Sequence, residues 1–208
     1  MRNVLFAITK NMNIGRSIGS HLYYGRAFSV GLLVVLSCIM GFGPRKLVKT
    51  KVTNGISVRL PKELAPMTPE DIVQRYPSVR APLCAYTNPD RLVDFAANVS
   101  ATQWPDGDVV FAQKFFKATI MAMYDKVDIL SEGFVTLNKK KFFFFEFDSR
   151  LNADRKQVAT QDALMKYTYI MYLVHPTRTL VFSFNCTKDQ KEEWQETAKA
   201  IMLSINVR

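Results

Sequence analysis

Two carboxylates, Glu146 and Asp148, stand two residues apart in the stretch KKKFFFFEFDS. On a strand that spacing puts both side chains on one face. A like-charged neighbour or burial there can raise one pKa enough for acid–base work. A small hydrolase using Glu146 and Asp148 would be built this way, although a strand end reaching solvent has the same pattern. Nothing else in the chain converges on the pair. There is no phosphate-binding glycine loop, no G-x-S-x-G and no H-E-x-x-H. The histidines, His21 and His175, are far apart and lack neighbours at ligand spacing, and His175-Pro176 reads as a turn. Cys38, Cys84 and Cys186 show no CxxC or other metal-ligand spacing. The chain is therefore expected to hold no metal and no cofactor, and not to be an enzyme. Whether Cys84 and Cys186 meet in a disulfide is left open by their spacing.

The third cysteine belongs to a different chemistry. Between Arg26 and Arg45 the chain carries no charge, in AFSVGLLVVLSCIMGFGP, and Val35-Leu36-Ser37-Cys38 resembles a bacterial lipoprotein box. In such a box the cysteine is lipidated and becomes the first residue of the mature chain, so Cys38 is the candidate lipidation site. Leu36, where a smaller residue is usual, and the apolar Ile39 and Met40 depart from the pattern. A cleaved export signal or an uncleaved anchor at the short end of what spans a bilayer would use the same segment, and the acid-free first 30 residues, with their Arg and Ser, would suit a mitochondrial presequence.

Charge follows this division. Residues 1–62 contain ten of the 28 Lys and Arg and none of the 18 Asp and Glu, so residues 63–208 are balanced at 18 of each. The net charge of +10 thus belongs to the N-terminal arm, and the remainder has no compositional reason to seek nucleic acid. The domain organisation follows: 1–43 as signal or membrane anchor, 44–51 as a basic tether, and 52–208 as one domain. At 48% hydrophobic residues, the chain can bury a substantial core.

Within 52–208 the elements alternate clearly. Val52–Leu60 reads as a strand signal with a turn at Asn54-Gly55. Thr68 and Pro69 open a short helix. Strands follow at Leu83–Thr87 and Arg91–Ser100. The longest helix is predicted from Asp108 to about Val127. It has two apolar rows, Phe111, Phe115, Ala118, Ala122 and Phe116, Ile120, Met123, Val127, and such an arc is expected to lie flat on a sheet. Strands at Gly133–Leu137, Lys141–Asp148, Leu164–Val174 and Thr179–Cys186 are joined by short turns, apart from a polar loop at Arg150–Asp162. Phe142 and Phe144 face opposite to Phe143, Phe145 and Phe147, so that strand is expected to be covered on both sides. Thr187 and Gln190 at capping-box spacing open a terminal helix whose buried stripe is Trp194, Ala198, Ile201 and Ile205. The fold class is α+β: a central, mostly antiparallel sheet of about 6–7 strands sandwiched between helices.

This order resembles the PsbP/Mog1-like family of small α/β/α sandwiches. The likeness rests on NGISVRLPKEL, RLVDFAANVS, KKKFFFFEFDS, YTYIMYLV, TLVFSFNC and EEWQETAKAIMLSI as they stand in this chain. It implies a non-catalytic role, since members act mostly as assembly factors, protein-binding modules or subunits of membrane complexes, and it carries over no site residue. The expectation is a membrane-tethered binding or assembly module of the bacterial cell envelope, with its globular domain periplasmic and a protein partner. A subunit of an organellar membrane complex is the alternative. Candidate partner contacts are Trp104 and Asp106 in the WPDGD loop, and Arg150 and Arg155 in the polar loop.

Overall fold

A run of four phenylalanines needs cover on both faces, and the fold supplies it. The computed structural model describes residues 45–77, 80–104, 107–152 and 164–208. These form strands β1 (Leu47–Thr53), β2 (Ile56–Pro61) and β3 (Ala65–Pro66), helix α1 (Pro69–Arg75), and strands β4 (Cys84–Thr87) and β5 (Val93–Val99). Helix α2 (Val109–Met123) precedes β6 (Lys126–Leu137), β7 (Lys140–Leu151), β8 (Leu164–His175) and β9 (Arg178–Thr187). A 3-10 turn (Lys188–Gln190), helix α3 (Lys191–Leu203) and β10 (Asn206–Val207) close the chain.

The main sheet has seven strands in the order β3-β4-β5-β9-β8-β7-β6, and every neighbouring pair is antiparallel. A second sheet, β1-β2-β10, sits with α3 over one face of it. There Ile56, Val58 and Leu60 pack with Phe95, Phe142, Tyr167, Phe182, Phe184, Trp194 and Ile201. On the other face α2 covers Phe143, Phe145, Phe147 and Tyr172 through Ala112, Phe116 and Ile120. Helix α1 covers Ala85 and Ala96 beside it through Ile72 and Tyr76. The expected α/β/α sandwich and the two-sided burial of β7 are both present, with Phe142, Phe143, Phe145 and Phe147 all inaccessible to solvent.

Local chemistry sets the boundaries. Thr68 accepts from the Asp71 N–H at 3.2 Å as N-cap of α1, with Pro69 next. Asp108 caps α2 through the Val110 and Phe111 N–H groups, at 3.0 and 2.9 Å. The β6–β7 hairpin turns on Asn138 and Lys139, both with positive φ, as a two-residue turn of this hand requires. The β8–β9 hairpin turns at Pro176-Thr177, where His175 pairs with Arg178 and its ring contacts the Thr177 hydroxyl.

Four boundaries differ from expectation. Residues 47–51 of the expected tether are strand β1. Val48, Thr50 and Val52 suit a strand, and the turn at Asn54-Gly55 folds them back on β2. Helix α2 stops at Met123 because Tyr124 is already extended. Val127 and Ile129 then alternate with Lys126 and Asp128 in β6, a period of two that outweighs the helical one. Arg150, expected to begin a loop, is paired in β7 opposite Met165. Thr187 makes no side-chain capping bond, because the 3-10 turn at Lys188–Gln190 separates it from α3.

Candidate functional site

The two carboxylates do share a face, the one under α3, but folding commits both. Glu146 is 3% exposed. Its Oε1 accepts from the Tyr167 hydroxyl at 3.0 Å and from Gln195 Nε2 at 2.6 Å, with Lys199 Nζ at 3.8 Å. Asp148 accepts from Lys191 Nζ at 2.7 Å. Burial, and then the Glu146 charge, push the Tyr167 hydroxyl far above its ordinary pKa, so it remains a donor. Tyr167 lies on β8, and Gln195, Lys199 and Lys191 on α3. The set is a polar staple between sheet and helix. As folded, Glu146 is spent on holding α3 to the sheet, and Asp148 is paired beside it.

Cys84 and Cys186 are both free. Cys84 stands opposite Ala97 on β5, and Ala97 stands opposite Phe182 on β9, four residues from Cys186. Two strand spacings across and four residues along put the cysteines roughly 16 Å apart, beyond disulfide reach. Burial pushes each thiol up to about 12.

Of the expected contact residues, Trp104 and Arg150 are described, while Cys38, Asp106 and Arg155 lie outside the described residues. Arg150 is exposed on β7, and its carbonyl accepts from the Asp125 N–H at 3.0 Å, beside the end of α2. Trp104 is half-buried at the start of α2. Its ring lies 5.6 Å from Phe111, 5.4 Å from Phe115 and 6.2 Å from Phe116. Phe116 continues inward, stacked on Tyr172 at 4.3 Å.

Two members of this cluster point the other way. Phe111 is 59% exposed and Phe115 42%, and Val110, Met121 and Met123 on the same helix are also open to solvent. Ala118 and Ala122 complete an exposed row that the sequence pattern assigns to the core. The helix meets the sheet through Val109, Ala112, Phe116 and Ile120, a stripe one residue wide. On the neighbouring edge strand, Phe134 is 40% exposed and stands opposite Phe143, on the α2 side of the sheet. The rim is formed by Lys114 and by the ion pair from Lys117 to Glu132 at 2.7 Å. The result is a run of apolar side chains left open to solvent along one outer helix. The signal that could have found it was the width of the apolar arc, greater than one sheet contact consumes.

The described residues contain no group of three or more His, Cys, Asp or Glu placed to hold a metal. None of their helices is long and apolar enough to cross a membrane. What they define is a PsbP/Mog1-like sandwich with an aromatic face on one outer helix. No protein-family profile matches the chain, and no curated protein does. Among solved structures it is similar to cyanobacterial PsbP (CyanoP) from Synechocystis sp. PCC 6803. The TM-score is 0.53 at 9% identity, covering 81% of this chain and 96% of that one. It is also similar to the Ran-binding protein Mog1p of Saccharomyces cerevisiae, with a TM-score of 0.50 at 11% identity, over 78% and 96% of the two chains. At these identities the likeness is one of fold.

Proposed function

We propose that this chain is a non-enzymatic binding or assembly module, tethered through its N-terminal segment to the membrane of the bacterial cell envelope. Its domain is periplasmic, and it holds a protein partner against the outer face of α2. The observation that carries the reading is the exposed row of Phe111, Phe115, Ala118 and Ala122 beside Trp104. Aromatic side chains already packed against one another lose little freedom on binding, and they dominate interface energetics. The fold shared with a Ran-binding protein supports a protein as partner. Trp104, at the start of α2, is taken as a contact on this face, with Asp106 as a further one; Arg150, whose side chain shares the α3 face of β7 with Glu146 and Asp148, and Arg155 are taken as contacts beyond it. The tether rests on the uncharged stretch before Arg45 and on lipidation at Cys38.

The test compares proteins cross-linked to the full-length chain in its native membrane fraction with those cross-linked to Phe111→Ser/Phe115→Ser. A partner lost from the variant, which still unfolds in one cooperative transition, is the expected result. An identical set of cross-linked proteins would overturn the assignment. The mass of the N-terminal peptide from the same fraction reads the tether: a diacylated Cys38 is expected, and a chain retaining residues 1–37 would overturn lipidation.

A further inference from the structure

The layer opposite α2 has a distinct chemistry. Residues 45–62 contain Arg45, Lys46, Lys49, Lys51, Arg59 and Lys62 and no acidic residue. Folding converts this from a charge run into a surface. In the β1–β2 register Lys49 stands directly opposite Arg59, and Lys51 opposite Ser57. Residues opposite each other share a face, and on β2 the other face carries Ile56, Val58 and Leu60 into the core. Lys49, Lys51 and Arg59 therefore point outward together, and all three are exposed. None makes an ion pair among the described residues. Like charges directly opposed across a strand pair destabilise it, and an anion laid over them removes that cost. At one end of this face Lys49, Lys51 and Arg208 line a hollow of about 370 Å³ with Gly55, Ile56 and Ser57.

We propose that the outer face of β1–β2 is the surface by which the domain lies on an anionic bilayer, its cations taking phosphodiester headgroups. The proposal rests on the tether reading in one respect: it gives the tethered domain an orientation. The uncharged stretch 27–44 ends where this face begins, so the basic surface adjoins the point at which the chain enters the domain. Headgroup contact here turns α2, on the opposite layer, away from the lipid and toward a partner. Nucleic acid fits less well. Strands β1, β2 and β10 contain no aromatic side chain on which a base could stack.

The experiment places the full-length protein in nanodiscs of phosphatidylcholine, alone or with one third phosphatidylglycerol. Each disc carries a gadolinium-chelating lipid that broadens nearby amide signals. In the anionic discs, the β1 and β2 amides are expected to broaden while those of α2 stay sharp. The broadening should fade at high salt or in neutral discs, and Lys49→Glu with Lys51→Glu should weaken the contact by roughly tenfold or more. Equal broadening in both lipids, no broadening of β1–β2, or broadening of α2 instead overturns the proposal. A chain that leaves the discs refutes the tether, and sedimentation with vesicles then decides the basic face separately. Salt-sensitive pelleting with anionic vesicles, lost in the double variant, supports it. No such pelleting, or tighter binding to a DNA duplex than to those vesicles, overturns it.

Discussion

Glu146 shows how little a residue's type says about its work. The carboxylate that spacing nominates for catalysis closes a buried network with Tyr167 and Gln195. Glu146→Ala leaves the buried Tyr167 hydroxyl and the half-buried Gln195 amide short of an acceptor and is expected to lower stability by about 1–3 kcal/mol. Glu146→Gln, which keeps an acceptor, should cost less, and urea unfolding of the two variants checks the order. The cysteines make a pH-dependent case. Burial holds both thiols at about 12 against an ordinary value of 9.0. The native state therefore keeps protons that the unfolded chain releases. This contribution is complete below pH 9 and is lost as pH rises toward 12. Stability should fall across that window, and Cys84→Ala with Cys186→Ala should flatten the fall. At pH 8 neither thiol should react with a disulfide reagent until denaturant is added, which a colorimetric thiol assay reads directly.

At the scale of the element, α2 divides adjacent phenylalanines between two tasks. Phe116 packs on Phe143 and Tyr172 beneath the helix, whereas Phe115 is directed to solvent. Phe116→Ala is expected to cost about 3–5 kcal/mol, and Phe115→Ser, which loses edge contacts to Trp104 and Phe116, only about 1 kcal/mol. Paired denaturant curves measure both. Similar losses would mean that the outer face is core, and the proposed contact would fail with it. The edge strand beside α2 carries its own protection. β6 is bulged between Ile129 and Ser131 and studded with Lys126, Asp128 and Glu132, features that discourage pairing with a further strand. Partner contact through the helix face is consistent with an edge guarded in this way.

At the scale of the whole molecule, the two outer layers differ in kind: aromatic over α2, cationic over β1–β2. Arg45 stands where the chain enters the domain. It lies 3.8 Å over the Trp194 ring, pairs with Glu63 at 2.8 Å and also bridges to Glu193. This fastens the entry to α3, with the Arg45 side chain only 19% exposed. Arg45→Ala is expected to cost about 1–2 kcal/mol and to speed hydrogen exchange in β1. Unchanged exchange there would show that the entry is held by the β1–β2 ladder alone.

What the sequence determined is whatever depends on period and on near neighbours. The alternation of Phe142 to Phe147 required a strand covered on both faces. Thr68-Pro69 and Asp108 fixed helix starts, and the polar run Asn138-Lys139-Lys140 marked a short hairpin connection, which folding narrowed to Asn138-Lys139. Each is decided within a few residues, by sterics or by one backbone hydrogen bond. The tertiary structure decided which apolar surface found a partner. Phe111 and Phe116 look alike in any window of the sequence, but the helix buries one narrow stripe against the sheet, and the remaining arc is left outside. Glu146 became a staple because α3, some fifty residues on, brings Gln195 to it. Lys49 met Arg59 because a turn folded the expected tether into a strand. Such outcomes depend on which distant segments come together, and the local pattern holds no record of that.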